Sequence, residues 1–181
     1  MKKIKLHDKE FRVSVEGTVI EREIDRVAIR INQELADERP LFLGVLNGAF
    51  MFVADLLKRI SIVGTEVSFV KMTSYVGTRS TGQVKELIGL NENIEGRTVV
   101  IVEDMVDSGR SIAYLKRWLE EKSPKQIKVA TMFYKPKALT CDVSIDYYCM
   151  TLENDFVVGR GLDYDGLGRN LPDLYTLYVE K

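Results

Sequence analysis

Apolar runs alternate with helical periodicities along most of the chain. Runs at 41–46, 99–102 and 127–133 predict strands buried on both faces. Apolar residues at helical spacing predict a helix that opens at Glu16-Gly17 or Thr18 and continues to Leu35, and two more over 49–60 and 112–122. This alternation indicates an α/β fold, with a parallel twisted sheet, helices on both faces and right-handed crossovers.

Other segments depart from this alternation. Phe11, Val13 and Val15 predict a short edge strand, and the run 147–151 predicts a further strand. The segments 66–72 and 84–88 predict two strands of a long ribbon. The polar stretch between them, 73–82, is typical of a disordered segment or of a lid. From Glu153 the alternation stops. We predict a single domain over residues 1–181, with a small cap to which 153–175 contribute.

The stretch 99–111 indicates the chemistry most clearly. Its four apolar residues are followed by the acids Glu103, Asp104 and Asp107 and then by Ser108-Gly109-Arg110-Ser111, in which three of the four residues are small. Free backbone N–H groups and the helix dipole make such a turn an anion site, most simply for phosphate. Carboxylates repel a phosphate, so Glu103 and Asp104, expected where the strand ends, should face Mg2+ or sugar hydroxyls. An ordinary strand–turn–helix with solvated acids is the alternative.

This stretch resembles the ribose-phosphate-binding signature of the type I phosphoribosyltransferases: four apolar residues, two acids, two spacers, then Asp-Ser-Gly. The resemblance extends over nearly the whole chain and is greatest to the hypoxanthine phosphoribosyltransferases. It implies purine salvage with Mg2+, in which phosphoribosyl diphosphate and hypoxanthine or guanine give IMP or GMP and diphosphate. It also implies a hood over the base, formed in part by 153–175, and a homodimer or homotetramer.

The resemblance also implies roles for individual residues. Many of them directly follow predicted strands, and in open α/β sheets ligands bind at the carboxyl ends of the strands. It assigns Asp107 to general acid–base catalysis, the lid to Ser74 and Tyr75, and the metal to Glu103, Asp104 and Asp163. Purine binding is assigned to Lys135, Phe156, Val157 and Asp163. Phosphoribosyl diphosphate binding is assigned to Leu46, Asn47, Gly48, Glu103, Asp104, Asp107, Ser108, Gly109, Arg110, Ser111 and Arg169.

Two positions depart from the family pattern. Many members have lysine where this chain has Asn47, in a diphosphate loop where a non-proline cis peptide is usual. Arg160 stands where a less bulky or an aromatic residue is expected, and the resemblance gives it no role. Without the resemblance, Lys135 would be interpreted as a solvated loop lysine and Phe156 as a core residue.

Composition narrows the classes of function. Hydrophobic residues make up 45% and charged residues 29% of the 181 positions, as in ordinary globular proteins, and the net charge of -1 gives no support for a nucleic-acid or membrane surface. No signal-peptide pattern follows the basic N-terminal residues, and we expect a cytoplasmic protein. His7 is the single histidine, which excludes a multi-histidine metal site. Cys141 and Cys149 lack redox-motif spacing and are expected to be free thiols.

Two other functions remain open from the sequence. One is a phosphoribosyltransferase for xanthine or adenine, although a lysine donor at position 135 mismatches the 6-amino group of adenine. The other is a regulator that senses phosphoribosyl diphosphate and binds nucleic acid on the same fold. The net charge and the lack of an added DNA-binding segment argue against this regulator. The preference among hypoxanthine, guanine and xanthine is left open.

Overall fold

The structure is a computed structural model that describes residues 2–74 and 84–178, without the side chains of 73–74 and 84–88. Its helices are α1 (Gly17–Glu34), α2 (Phe50–Leu57) and α3 (Arg110–Glu120), with a 3-10 turn at Pro136–Ala138. Its strands are β1 (Lys3–Leu6), β2 (Lys9–Val15), β3 (Leu41–Leu46), β4 (Glu66–Ser74), β5 (Val84–Ile88), β6 (Thr98–Val106), β7 (Gln126–Tyr134), β8 (Tyr147–Thr151), β9 (Val157–Val158) and β10 (Leu174–Tyr178).

The larger sheet has the strand order β5-β4-β3-β6-β7-β8. Its last five strands run parallel to one another, and β5 runs antiparallel to β4. The predicted parallel sheet and the predicted ribbon of β4 and β5 are therefore confirmed. Because β6 lies between β3 and β7, the stretch with the clearest chemistry occupies an interior strand.

Helices cover both faces of this sheet, as predicted. The alternation of side chains along β6 divides its apolar residues between the two layers. Val100 and Val102 belong to the cluster formed with α1 and α2, which includes Ile24 and Phe52. Val99 and Ile101 belong to the opposite cluster, to which α3 contributes Ile112, Leu115 and Leu119.

The two ends of the chain together form the hood, a four-stranded antiparallel sheet of order β1-β2-β10-β9. Its small core contains Phe11, Val158 and Tyr175. The prediction of an edge strand at Phe11–Val15 was wrong in one respect, because β2 pairs with β1 on one side and with β10 on the other. Alternation gives the buried face of a strand but not the number of its neighbours.

Several predicted boundaries also differ from the structure. The main difference concerns β6, which continues through Glu103 and Asp104 to Val106 instead of ending at Val102. Pairing with β7, where Met105 lies opposite Phe133, keeps this segment extended. At the other boundaries, α2 ends at Leu57 and α3 at Glu120, each a few residues earlier than predicted.

The expectation of free thiols agrees with the structure. Both cysteines are free thiols, with Cys149 buried in β8 and Cys141 partly exposed. Among the helices of residues 2–74 and 84–178, none combines the length and apolar character needed to cross a membrane.

Candidate active site

The carboxyl ends of β3, β6 and β7 bring three of the predicted site segments to one edge of the sheet. These segments are the loop at 46–48, the turn at 107–111 and Lys135 with the residues after it. A cavity of about 260 Å3 opens between the first two of them. Its lining includes Val45, Leu46, Met72, Glu103, Met105, Val106, Asp107, Ser108, Gly109, Ser111 and Ile112.

Glu103 and Asp104 form an acidic pair inside β6. The Glu103 residue is only 9% exposed. Burial, followed by the negative charge of Asp104, raises the pKa of Glu103 well above its ordinary value near 4.5. Burial also raises the pKa of Asp104, although the Met105 amide, which donates to its Oδ1 at 2.7 Å, and the positive charge of Arg169 oppose the shift. Burial thus opposes two negative charges on the free pair, and a cation or a hydroxyl donor bound here would stabilise the charged form.

The loop at 46–48, which the resemblance assigns to diphosphate and which we call the diphosphate loop, packs directly against Asp104. Its Leu46–Asn47 peptide bond is cis, as the resemblance implied. A Cβ atom added at Gly48 would lie 1.5 Å from Asp104 Oδ2, so the backbone reaches this carboxylate only because position 48 has no side chain. Asn47 is exposed. The contact between the loop and the Asp104 carboxylate is therefore made by the backbone at Gly48.

The turn at 107–111, which is predicted to bind a phosphate, lies between the end of β6 and the start of α3. Gly109 is the N-cap of this helix and supplies no side-chain cap. The first backbone amides of a helix have no intrahelical partner, which leaves them available to an anion. The turn is tied to a neighbouring loop, where the Thr140 amide donates to Ser108 O at 3.0 Å and Arg110 Nε donates to Thr140 Oγ1 at 3.3 Å. The Arg110 side chain thus braces the turn from outside the cavity.

Lys135, which follows β7, and Asp107, which follows β6, lie close to each other. The Lys135 residue is 5% exposed, and its Nζ donates to the carbonyl oxygen of Asp155 at 2.8 Å. The same Nζ lies 3.9 Å from Asp107 Oδ2, whose side chain is 53% exposed. Lys135 is therefore a buried cation rather than a solvated loop lysine, and Asp107 can reach a bound ligand.

Phe156 follows Asp155 and lies beside aromatic side chains of the hood. Its ring is 45% exposed, so the core-packing alternative does not hold for it. The ring centroid lies 6.2 Å from that of Phe11 and 5.8 Å from that of Tyr164. Hood side chains thus hold one side of the ring while part of it stays open. The next residue, Val157, is buried in β9.

Asp163 and Arg169 form an ion pair in a hood loop. Arg169 Nη2 lies 2.6 Å from Asp163 Oδ1, and Arg169 Nη1 donates to Gly161 O at 2.7 Å. A Cβ atom at Gly161 would lie 2.0 Å from Gly48 O, and the φ of Gly161 is +100°, so a side chain there would be both crowded and strained. This glycine lets the hood loop sit on the diphosphate loop.

The predicted metal ligands are not a preassembled cage. Across residues 2–74 and 84–178, no group of three or more His, Cys, Asp or Glu side chains is arranged to hold a metal ion alone. Glu103, Asp104 and Asp163 nevertheless supply hard oxygen donors of the kind that Mg2+ binds, usually with waters and substrate phosphates. The assignment of these three residues stays a prediction.

The lid prediction falls mostly outside the description. Tyr75 is not among the described residues, and of Ser74 only the backbone, at the end of β4, is described.

Sequence reasoning missed two contributors to the architecture of the site, Arg160 and Gly161. Arg160 is 5% exposed and makes ion pairs with Glu21 and Asp55. The departure from the family pattern at this position was the signal available in the sequence. No pattern in the sequence indicated its partners, which lie on α1 and α2.

The sequence of this chain is similar to one protein family and to individual known proteins. The family described as "Phosphoribosyl transferase domain" matches residues 16–165. A hypoxanthine-guanine phosphoribosyltransferase of Streptococcus agalactiae serotype V is 42% identical over 152 residues, which cover 83% of this chain and 84% of that protein.

Solved structures agree with the sequence matches. A hypoxanthine phosphoribosyltransferase from Staphylococcus aureus superimposes with a TM-score of 0.87 and 30% identity, covering 92% of this chain and 91% of that chain. A hypoxanthine-guanine phosphoribosyltransferase from Bacillus anthracis has a TM-score of 0.86 and 28% identity, covering 93% and 97%. Each superposition therefore covers more than nine tenths of this chain.

The raised pKa of Glu103 predicts a pH dependence of stability. Without metal, the folded protein holds a proton on Glu103 that the unfolded chain loses near pH 4.5, so stability should fall as pH rises from there through the raised pKa. Glu103→Gln is neutral at every pH and should lack this loss. We expect the free energy of unfolding of the variant, relative to the parent, to increase with pH. Urea unfolding of both proteins in EDTA between about pH 5 and pH 8 measures this difference; a constant difference would contradict the assigned shift.

Proposed function

The chain belongs to the phosphoribosyl transferase family, and we propose that it transfers the 5-phosphoribosyl group from phosphoribosyl diphosphate to hypoxanthine and guanine. The products are IMP or GMP and diphosphate, as in purine salvage. The observation that supports the choice of base is the buried ammonium of Lys135. It lies 3.9 Å from Asp107 and donates to the carbonyl oxygen of Asp155, the residue that precedes the exposed Phe156. The names of the relatives, hypoxanthine and hypoxanthine-guanine phosphoribosyltransferases, support it.

Phosphoribosyl diphosphate would bind along the edge of the sheet. The backbone amides of 107–111, with the hydroxyls of Ser108 and Ser111, would hold the 5′-phosphate at the start of α3. Glu103 and Asp104 would accept hydrogen bonds from the 2′- and 3′-hydroxyls. The backbone of Leu46, Asn47 and Gly48 and the cation of Arg169 would face the diphosphate, so these groups stabilise the charge on the leaving group.

Mg2+ belongs to this proposal, because a diphosphate substrate meets carboxylate oxygens at the site. Glu103, Asp104 and Asp163 would hold the ion, directly or through water and substrate oxygens. When bound, Mg2+ neutralises the diphosphate charge. Asp163, which is paired with Arg169, would also keep that arginine aimed toward the diphosphate loop.

The base would lie between Lys135, Phe156 and Asp107. The Lys135 ammonium would donate to the 6-oxo group, the open part of the Phe156 ring would stack on the purine, and the backbone at Val157 would contact the base edge. Asp107 would exchange the proton of the imidazole nitrogen that attacks C1 of the ribose, as a general acid–base group. Alignment of that nitrogen with C1 and the leaving diphosphate supplies much of the rate.

The proposal also includes a lid, a cellular compartment and an oligomeric state. Ser74 and Tyr75 would belong to a lid over the reacting atoms, the protein would work in the cytoplasm, and it would assemble as a homodimer or homotetramer. A preference for xanthine remains the second enzymatic candidate, since a xanthine base also carries the 6-oxo acceptor that Lys135 would bind.

An assay with four bases tests the proposal. With phosphoribosyl diphosphate and Mg2+, we expect nucleotide from hypoxanthine and guanine and little from adenine, which would face the Lys135 donors with an amino group. Excess EDTA should abolish turnover. Chromatography of the products gives the rates for hypoxanthine, guanine, xanthine and adenine. Full turnover in EDTA would refute the metal role, and binding of phosphoribosyl diphosphate without turnover of any base would favour a sensor.

Asp107→Ala tests the acid–base role. Because the side chain would act in proton transfer, kcat should fall roughly 10²–10⁴-fold. The KM for phosphoribosyl diphosphate should change little. Steady-state kinetics with hypoxanthine measure both constants, and Asp37→Ala, an exposed aspartate remote from the site, is the control. An unchanged kcat would leave Asp107 as a structural turn residue.

Lys135→Met tests the choice of base while keeping much of the apolar stem. Loss of a hydrogen bond from a charged donor should weaken purine use by on the order of 1.5–3 kcal/mol in kcat/KM, with the KM for phosphoribosyl diphosphate little affected. Selectivity against adenine should shrink as well. Lys137→Met is the matched control, because Lys137 is exposed and pairs with Glu153. If the variant kept the parent's ratios among hypoxanthine, guanine and adenine, the selectivity would lie elsewhere, most simply in the backbone at Val157.

A further inference from the structure

Arg160 is a buried cation to which the proposed chemistry gives no role. Its side chain is 6% exposed, in a hood loop where the family pattern led us to expect a smaller or aromatic residue. Neither the base nor the phosphate groups would touch it in the arrangement proposed above. A buried guanidinium is unfavourable unless it is paired, so its partners indicate what it does.

Those partners lie on the two helices that cover one face of the sheet. Arg160 Nη1 lies 3.1 Å from Asp55 Oδ2 on α2. Its Nη2 donates to Glu21 on α1 and, at 3.1 Å, to the carbonyl oxygen of Gly17 at the start of the same helix. Helix α2 begins two residues after the diphosphate loop ends at Gly48. The guanidinium therefore joins the hood loop to the helix that follows the diphosphate loop.

The backbone beside Arg160 touches the diphosphate loop and Arg169. The close approach of Gly161 to Gly48 O leaves no space for even a Cβ atom. The Gly161 amide donates to Arg169 O at 2.9 Å, and Arg169 Nη1 donates back to Gly161 O at 2.7 Å. A shift at Arg160 would be transmitted to Gly161 and from there to the Arg169 guanidinium.

We propose that Arg160 is a positioning residue for the diphosphate half of the site. It fixes the distance between the hood loop that carries Asp163 and Arg169 and the loop that ends at Gly48. The inference rests on the proposed function, since it assumes that the diphosphate binds between these two loops. The purine half depends on other contacts, namely Lys135 with Asp155 and Phe156 with Phe11 and Tyr164.

The fold should tolerate removal of this guanidinium, because its carboxylate partners keep other cations. Glu21 also pairs with Arg59, and Asp55 also pairs with Lys58 at 3.1 Å. Neither carboxylate would therefore be left buried without a counter-charge. Arg59 supplies a matched control: it shares Glu21, pairs with Asp25 and is largely buried, with 24% of its side chain exposed. The groups that accept hydrogen bonds from its guanidinium lie on α1 and α2 rather than in the hood loop.

The experiment compares Arg160→Met, Arg160→Lys and Arg59→Met with the parent. For Arg160→Met we expect the KM for phosphoribosyl diphosphate to rise on the order of tenfold, because small misplacements of binding groups weaken substrate use strongly. The KM for hypoxanthine should change less than about twofold. Arg160→Lys keeps a cation and should recover part of the loss. Arg59→Met should lower the melting temperature but leave both KM values near those of the parent.

Several outcomes would overturn the inference. Equal increases in the two KM values for Arg160→Met, or the same increase for Arg59→Met, would mean that Arg160 only stabilises the fold. If Arg160→Met fails to fold, Arg160→Lys provides the test. It should still raise the KM for phosphoribosyl diphosphate more than the KM for hypoxanthine, and equal changes would overturn the inference. If the parent itself turned over no base, the proposed function would fail instead. Calorimetric titration of each protein with phosphoribosyl diphosphate and Mg2+ would then test Arg160 directly, and equal affinities would refute its positioning role.

Discussion

The rest of the site depends on the burial of two adjacent carboxylates in an interior strand. Negative charge in such a place is unfavourable without compensation, and burial raises the pKa of both Glu103 and Asp104. The compensation comes from the Met105 amide and the nearby Arg169 charge, and we infer that substrate hydroxyls and a metal ion complete it. In the free protein the charged forms of these carboxylates are unfavourable, and a bound cation or hydroxyl donor would reduce that cost.

At the diphosphate loop, backbone rather than a side chain lies against the acidic pair. Gly48 reaches Asp104 because it has no Cβ atom, and Gly161 in turn packs on the carbonyl of Gly48. Three segments distant in sequence are stacked at van der Waals contact, so an error in one is passed to the others. Such a stack needs fixation from outside, which the paired guanidinium of Arg160 provides through α1 and α2.

Locally patterned parts of the molecule could be predicted from sequence, and parts set by distant pairing could not. The apolar runs of β3, β6 and β7 and the helical spacing of α1 gave the α/β layers correctly, because each signal lies within one segment. The end of β6 was placed too early, since acidic residues are unfavourable in strands unless a neighbour such as β7 keeps them extended. The hood pairs Phe11 with Leu177, and no local pattern indicates such a partner. Arg160 was missed for the same reason, whereas the family resemblance indicated Lys135 and Phe156 without their partners.

Lys135 shows how selectivity and stability compete within this architecture. Its ammonium has three donors, and in the free protein the Asp155 carbonyl takes one while Asp107 lies 3.9 Å away. Under the proposed function, a 6-oxo acceptor would bind without breaking the Asp155 contact, and the cation would be in place before the base arrived. The same preorganisation keeps a cation buried when no base is present, which a well-packed apolar side chain would avoid. Stability alone would favour replacing this lysine, and its burial beside Asp107 therefore supports the role in base recognition that we propose for it.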